Sequence, residues 1–147
     1  MRPRKGDVAT RVILATFRAN GLLTAAGDVL AAGEGLTSAR WQVLGALALA
    51  GQPLTVPQVA RRMGLTRQSV HATVGRLAAD GLVELVPNVD HQRSSLVHLT
   101  DAGSARYRAM ERRQAAWVER VAGGLSVTGL ETAGRVLDQL CQRLEEL

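Results

Sequence analysis

Between residues 66 and 76 the chain gathers side chains able to grip or read a polyanion: Thr66, Arg67, Gln68, Ser69, His71, Thr73 and Arg76. Helical spacing sorts them. Val70, Val74 and Leu77 fall at i, i+4 and i+7 and make an apolar face, leaving Arg67, Gln68, His71, Gly75 and Arg76 on the other side with Ser69 and Thr73 on its flanks. An arginine can present two parallel N–H donors to guanine O6 and N7, and a glutamine can pair with adenine N6 and N7. Each such pair discriminates by about 1–3 kcal/mol. Arg67 and Gln68, at the helix start, are placed for base edges, whereas Arg76, more than two turns on, suits a phosphate. Solvation of an exposed helix would use the same residue types, so the choice rests on the elements around them.

Other chemistries lack their signatures. There is no G-x-S-x-G, no Walker A loop, no G-x-G-x-x-G after a strand and no H-E-x-x-H, so no enzyme is expected. No two of His71, His91 and His98 stand at i, i+4, and the single Cys141 excludes zinc sites of four cysteines or of two cysteines and two histidines. Neither metal nor cofactor is expected. With 147 residues, 46% hydrophobic and 21% charged, the composition is that of one globular domain. Its net charge of +5 favours a polyanionic partner without choosing among them. No apolar run approaches the roughly 20 residues of a membrane span. The basic start Met1-Arg2-Pro3-Arg4-Lys5 leads into a segment broken by Arg11 and Arg18 and not into a signal peptide, so a cytoplasmic protein without a membrane partner is expected.

The positioning elements follow from periodicity and punctuation. Apolar residues at helical spacing predict a helix from Val8 to Leu30, stopped by Gly33 and Gly35, and a second from Ser38 to Ala50 with a stripe of Trp41, Leu44, Leu47 and Ala48, capped by Thr37. Thr55-Val56-Pro57-Gln58 is a capping box opening a helix from Val56 to Met63. Gly64 supplies a tight turn, and Thr66 caps the next helix, Arg67 to Asp80, which stops at Gly81. Ala60, Gly64 and Val70 have the spacing of a helix-turn-helix: a small residue at the crossing, glycine at the turn, a branched residue where the second helix packs. Leu82 to Val86 and Ser95 to Leu99 predict a hairpin, a wing whose loop carries Asp90, His91 and Arg93. Arg93 is the candidate minor-groove probe. Thr100 caps a helix from Asp101 to Gly123, and a last helix runs from Thr128 to Leu147. The terminal helices carry apolar stripes with no partner in the winged unit, which argues for a homodimer.

Leu36-Thr37, Trp41, Val43-Leu44, Val59-Ala60 through Gly64-Leu65, Gly81-Leu82-Val83 and above all the run from Asn88 to Gly103, with its Leu99-Thr100-x-x-Gly103 ending, resemble the MarR family. The resemblance covers nearly the whole chain in order. It implies a mainly α fold with a small β-hairpin: a winged helix-turn-helix at 37–100 (helix-turn-helix 55–81, wing 82–100) flanked by dimerisation helices at 8–32 and 101–147. It further implies a homodimeric regulator, most often a repressor, on a pseudo-palindromic double-stranded DNA operator, contacted by the residues named above together with Thr55. The family pattern places Asp two residues before the wing arginine. Here His91 holds that slot and Asp90 stands one residue early, so either could steady Arg93.

Many members of that family are released by small aromatic or phenolic anions, and the resemblance puts such an effector among the first, second and fifth helices. Phe17, Trp41, Tyr107 and Trp117 are the aromatic residues there, Trp117 far along the fifth helix suiting the dimer instead, and Arg11 or Arg18 could neutralise an anion. Aromatics on amphipathic helices serve equally well as core. Two further readings stand beside the operator-binding one: a winged-helix interaction or architectural module without a specific operator, and a thiol-based redox regulator through Cys141. The second is weakened because Cys141 lies along the apolar stripe of the last helix, where a cysteine acts as a small hydrophobe.

Overall fold

The computed structural model describes residues 4–147; Met1 to Pro3, the first part of the basic N-terminal segment, lie outside the described residues. Six helices and three strands follow in order: α1 (Arg4–Ala32), α2 (Ser38–Ala50), β1 (Leu54–Thr55), α3 (Val56–Met63), α4 (Arg67–Ala79), β2 (Val83–Val86), β3 (Leu96–Leu99), α5 (Asp101–Ala122) and α6 (Val127–Glu145). The chain divides into two compact units, the first ending at Arg113 and the second spanning Gln114–Leu147. Among the described residues no helix is long and apolar enough to cross a membrane.

The core of the first unit is built around α2. Val43, Leu44, Gly45, Ala46 and Leu47 are buried in succession, because α2 packs against α1, α3, α4 and β3 together. A helix covered on several sides must be apolar nearly all round, so the expected single stripe is too narrow a description: Trp41 and Ala48 at its edges are only half-buried. Thr37 caps α2 by accepting the Arg40 N–H, and Gly51 closes it in the left-handed region at φ 65°.

The α3–α4 pair forms as its punctuation predicts. Thr55 Oγ1 accepts the Gln58 N–H at 3.4 Å while Gln58 Oε1 accepts the Thr55 N–H at 2.9 Å, a complete capping box. Gly64 takes φ 63°, which lets Leu65 N–H return to the Ala60 carbonyl at 2.9 Å and turns the chain into α4. Val70, Val74 and Leu77 are at most 2% exposed. Burial of that face fixes which residues of α4 meet solvent.

The sheet has three strands, not the two of a simple hairpin. β3 is central, pairing antiparallel with β2 (Val83↔Leu99 to Val86↔Leu96) and with β1 (Leu54↔Val97, Thr55↔Leu96). A two-residue strand carries no periodicity of its own; β1 exists because Leu54, 1% exposed, is drawn against Val97. At the base of the wing, Thr100 joins three elements. Its N–H donates to the Leu82 carbonyl at 3.2 Å, its hydroxyl donates to the Gly81 carbonyl at 2.8 Å, and the same oxygen caps α5 by accepting the Gly103 N–H at 3.0 Å. Gly103 is needed there: a Cβ would fall inside contact distance of the Leu82 carbonyl oxygen and 2.8 Å from Leu99 Cδ1. The Leu-Thr-x-x-Gly run is therefore a packing and capping device.

In the second unit, the end of α5 turns at Gly124 (φ 81°) into α6, capped by Ser126 accepting the Gly129 N–H. α6 buries none of its residues.

Candidate nucleic-acid interface

Solvent-facing chemistry on α4 is set by what its side chains are already bonded to. The Ser69 hydroxyl donates to the Thr66 carbonyl at 2.9 Å, and the Thr73 hydroxyl to the Ser69 carbonyl at 2.9 Å. Their protons are committed to the helix, which leaves both oxygens as acceptors suited to adenine N6 or cytosine N4 amino groups. Thr66 Oγ1 accepts the Ser69 N–H at 3.1 Å and keeps its own proton to donate. Thr55, half-buried at the α3 cap, is in the same state. Arg67, Gln68, His71 and Arg76 are exposed and, among the described residues, form no hydrogen bond or ion pair through their side chains. These four carry the free donors of the helix. Gly75 lies among them, with open space where a side chain would project.

Two further cations were not singled out from the sequence. Arg61 and Arg62 end α3 immediately before the Gly64 turn, both exposed and, among the described residues, both unpaired. Across residues 55–81 the chain carries four arginines against one aspartate, whereas residues 114–147 carry three arginines against five acids. The helix-turn-helix is thus net positive and the C-terminal segment net negative. An adjacent Arg-Arg pair at the end of its first helix was the available signal; it is equally a complement to the negative end of the α3 dipole.

The wing loop is exposed at Arg93. Asn88 Oδ1 accepts the Asp90 N–H at 3.2 Å, and the His91 carbonyl accepts the Ser94 N–H at 3.2 Å. Among the described residues, neither the Asp90 carboxylate nor the His91 ring bonds to Arg93. The turn is held by an Asx bond and a backbone bond in place of a carboxylate–arginine pair, which leaves the guanidinium free in a loop of nine residues, 87–95. His98 stands on β3 opposite Glu84, its Nδ1 3.0 Å from Glu84 Oε1.

The five residues expected around an effector are not brought together. Phe17 is 72% exposed on α1, and Arg11 and Arg18 are exposed beside it. Trp41 instead lies against Gly27 of α1, ten residues beyond Phe17, or about 15 Å along the helix. Tyr107 packs against Gly45 of α2. Burial, and then the nearby Glu111 carboxylate, push the Tyr107 phenol above its ordinary value, so it remains a neutral donor. A cleft of about 310 Å³ opens elsewhere in the first unit, between Leu47, Gly51, Pro53, His98, Leu99 and Ser104, and contains none of the five.

Known proteins share this arrangement. The model of the MarR family matches residues 34–94, from the α1–α2 corner to the end of the wing loop. An uncharacterized protein of Mycobacterium tuberculosis strain H37Rv is 39% identical over 125 residues, 85% of this chain and 86% of that protein. The transcriptional activatory protein BadR of Rhodopseudomonas palustris is 33% identical over 101 residues, 67% of this chain and 58% of BadR. Among solved structures, the MarR family transcription regulator SP03579 is 25% identical with a TM-score of 0.76, covering 97% of this chain and 93% of that one. CouR of Rhodococcus jostii RHA1, bound to p-coumaroyl-CoA, shares the fold with a TM-score of 0.76 at 22% identity, over 84% of this chain and 87% of that one. NadR in complex with 4-hydroxyphenylacetate does so with 0.76 at 20%, over 87% and 90%. With its capped helix-turn-helix, its wing and these likenesses along most of its length, the chain belongs to the MarR family of winged-helix, DNA-binding transcriptional regulators.

Proposed function

We propose that two copies of the chain pair through residues 8–32 and 101–147 and bind an operator in double-stranded DNA as an inverted repeat. The observation that carries this reading is the solvent face of α4, where Arg67, Gln68, His71 and Arg76 all keep their donors free above a fully buried apolar face. Arg67 and Gln68 read base edges, with Ser69 and Thr73 accepting from amino groups. Thr55, Thr66 and Arg76 hold phosphates, and Arg93 enters the adjacent minor groove.

Dimerisation is supported by exposed apolar side chains. Leu14, Phe17, Leu22 and Val29 on α1 are 61–80% exposed, and α6 leaves Leu130, Leu137 and Leu144 in water. Removing such surface from water is favourable by about 25 cal/mol per Å². A two-fold pair places its recognition helices about 34 Å apart, in successive major grooves. Binding over a promoter represses and binding beside it can recruit polymerase, so the sign belongs to the operator's position. Repression is the proposed default, and the activatory relative BadR is the counterexample among similar proteins.

The effector proposed is a small aromatic anion, in keeping with the ligands held by CouR and NadR. Its site is completed by the second copy, which accounts for Phe17, Arg11 and Arg18 standing open in the single chain while Trp41 and Tyr107 rest on the core. Release follows if the effector binds better to a dimer whose recognition helices have the wrong separation.

Fluorescence anisotropy against the DNA upstream of the chain's own gene and a shuffled duplex, across a salt series, tests the reading. Preference for the upstream DNA that persists as salt rises is expected. Equal, salt-labile binding to both would make the protein an architectural binder, and no binding would make it an interaction module.

A further inference from the structure

The corner between α1 and α2 is held by arginines from two other places in the fold. The last carbonyls of α1, those of Ala31 and Ala32, are taken by the backbone N–H groups of Glu34, Gly35 and Leu36. The three successive carbonyls of the turn that follows are taken by arginine side chains. Arg113 Nη2 donates to the Gly33 carbonyl at 3.3 Å, Arg106 Nη1 to the Glu34 carbonyl at 2.6 Å, and Arg40 Nη1 to the Gly35 carbonyl at 3.5 Å. Arg113 Nε also donates to Glu34 Oε1 at 2.6 Å. Gly33 permits the approach, since a Cβ there would stand 2.7 Å from the Arg113 guanidinium. Arg106 and Arg113 lie on α5, two turns apart on one face. Arg40 lies in the first turn of α2, and its Nη1 is also 3.8 Å from Oδ2 of Asp80, the residue that caps the end of α4. The Arg40 side chain is 19% exposed and that of Asp80 55%, so the pair is half open to solvent.

We propose that Arg113, Arg106 and Arg40 form one brace, running from α5 through the Gly33–Gly35 carbonyls to Asp80, that positions the end of the recognition helix against residues 106–113 of α5. Arginine suits the task because its planar fork can serve two acceptors at once, as Arg113 does with Glu34 and Gly33 and Arg40 does with Gly35 and Asp80. Since α5 belongs to the segment assigned above to dimerisation, the brace would fix the separation of the two recognition helices; that consequence rests on the proposed dimer, while the brace itself does not.

Hydrogen exchange read by mass spectrometry on the full chain, free of DNA, tests the brace directly. R113A should speed exchange about threefold or more in a peptide covering residues 30–36 and also in one covering 76–82, although Arg113 forms its hydrogen bonds and ion pair only with Gly33 and Glu34. Acceleration confined to 30–36 overturns the proposal. E34Q, which removes only the carboxylate and keeps every carbonyl, is the milder variant should R113A fail to fold; it should show the same pattern with smaller amplitude. Asp80→Asn combined with R113A should then add nothing at 76–82, whereas additive acceleration shows two independent contacts and overturns the brace. The anisotropy series on the same variants is a separate arm. Wild-type protein lacking preference for upstream DNA would refute the operator reading and leave the exchange result to decide the brace alone.

Discussion

Replacing Gly103 with alanine sets two general tendencies against each other at a position where the structure decides the sign. Gly103 sits in the first turn of α5, and alanine in a helix is favoured over glycine by up to about 1 kcal/mol. Against that gain stands the carbonyl of Leu82, which the new methyl would overlap, with the carbonyl carbon only 3.0 Å and Leu99 Cδ1 2.8 Å away. Neither neighbour can yield freely. Leu82 is 3% exposed, its N–H donates to the Leu77 carbonyl at 2.9 Å, and its carbonyl accepts the Thr100 N–H at 3.2 Å. Overpacking a tight site destabilises by about 1–3 kcal/mol. Losing the Leu82–Thr100 bond adds about 1–3 kcal/mol if the groups stay buried. The net is a loss of about 3 kcal/mol, or a fall in Tm of about 10 °C for a chain of this size. Thermal melting followed by circular dichroism, at fixed protein concentration because a dimer would link Tm to concentration, reads it. A Tm equal to or above wild type would refute the reasoning and show that α5 can shift off the wing without loss.

Gly75→Ala, on the open face of α4, should do the reverse to stability, raising Tm by about 2 °C through the same helix preference of up to about 1 kcal/mol. Upstream-DNA affinity should fall, because a methyl enters the groove beside His71; unchanged affinity would move this face out of the interface. Arg67→Ala should lower the preference for upstream over shuffled DNA by about 1–3 kcal/mol in an anisotropy competition, while equal loss on both duplexes would make Arg67 a phosphate contact. Arg93→Ala should weaken binding with the molar mass by light scattering still near twice 15.7 kDa, and unaltered affinity would remove the wing from the complex. Arg61→Ala with Arg62→Ala should reduce the slope of log K against log salt by about 1.8 if both meet phosphates, and an unchanged slope would leave them as partners of the α3 dipole.

What could be read from the sequence was local. The Thr55–Gln58 box, the Gly64 turn, the Thr66 cap and the Val70–Val74–Leu77 face each depend on residues within one or two turns of each other, and each stands in the structure where spacing put it. What escaped depends on distant pairing. β1 exists through Leu54 and Val97, forty-three residues apart. The unbroken burial from Val43 to Leu47 in α2 follows from α1, α3, α4 and β3 all closing on it, which no single period announces. The Glu34–Arg113 pair joins positions seventy-nine residues apart. The residues expected around an effector are not gathered within the single chain for a related reason: Phe17 and Trp41 both sit on helices, but α1 buries only Gly27 and Ala31 near its end, leaving Phe17 72% exposed.

The two ends of α4 are held by different physics, and this bears on how the helix meets DNA. At its C-terminal end polar contacts converge: Arg40 on Asp80, the Thr100 hydroxyl on the Gly81 carbonyl and the Thr100 N–H on the Leu82 carbonyl. At its N-terminal end the helix is tied by the Gly64 turn and by Val70 and Val74 against the core, with Thr66 and Ser69 bonded only within the helix. Polar contacts have preferred directions and fix an angle, whereas apolar contacts resist separation but tolerate small rotations. Arg67 and Gln68, the proposed readers of base edges, sit at the apolar-held end, and the phosphate candidate Arg76 sits at the end with the polar contacts. An anchored phosphate contact combined with a reading end that can settle against base edges is the arrangement by which positioning and specificity separate along one helix. Substitutions at Arg40, Asp80 or Thr100 should therefore lower affinity for the upstream and shuffled duplexes alike, while those at Arg67 or Gln68 change the ratio between them.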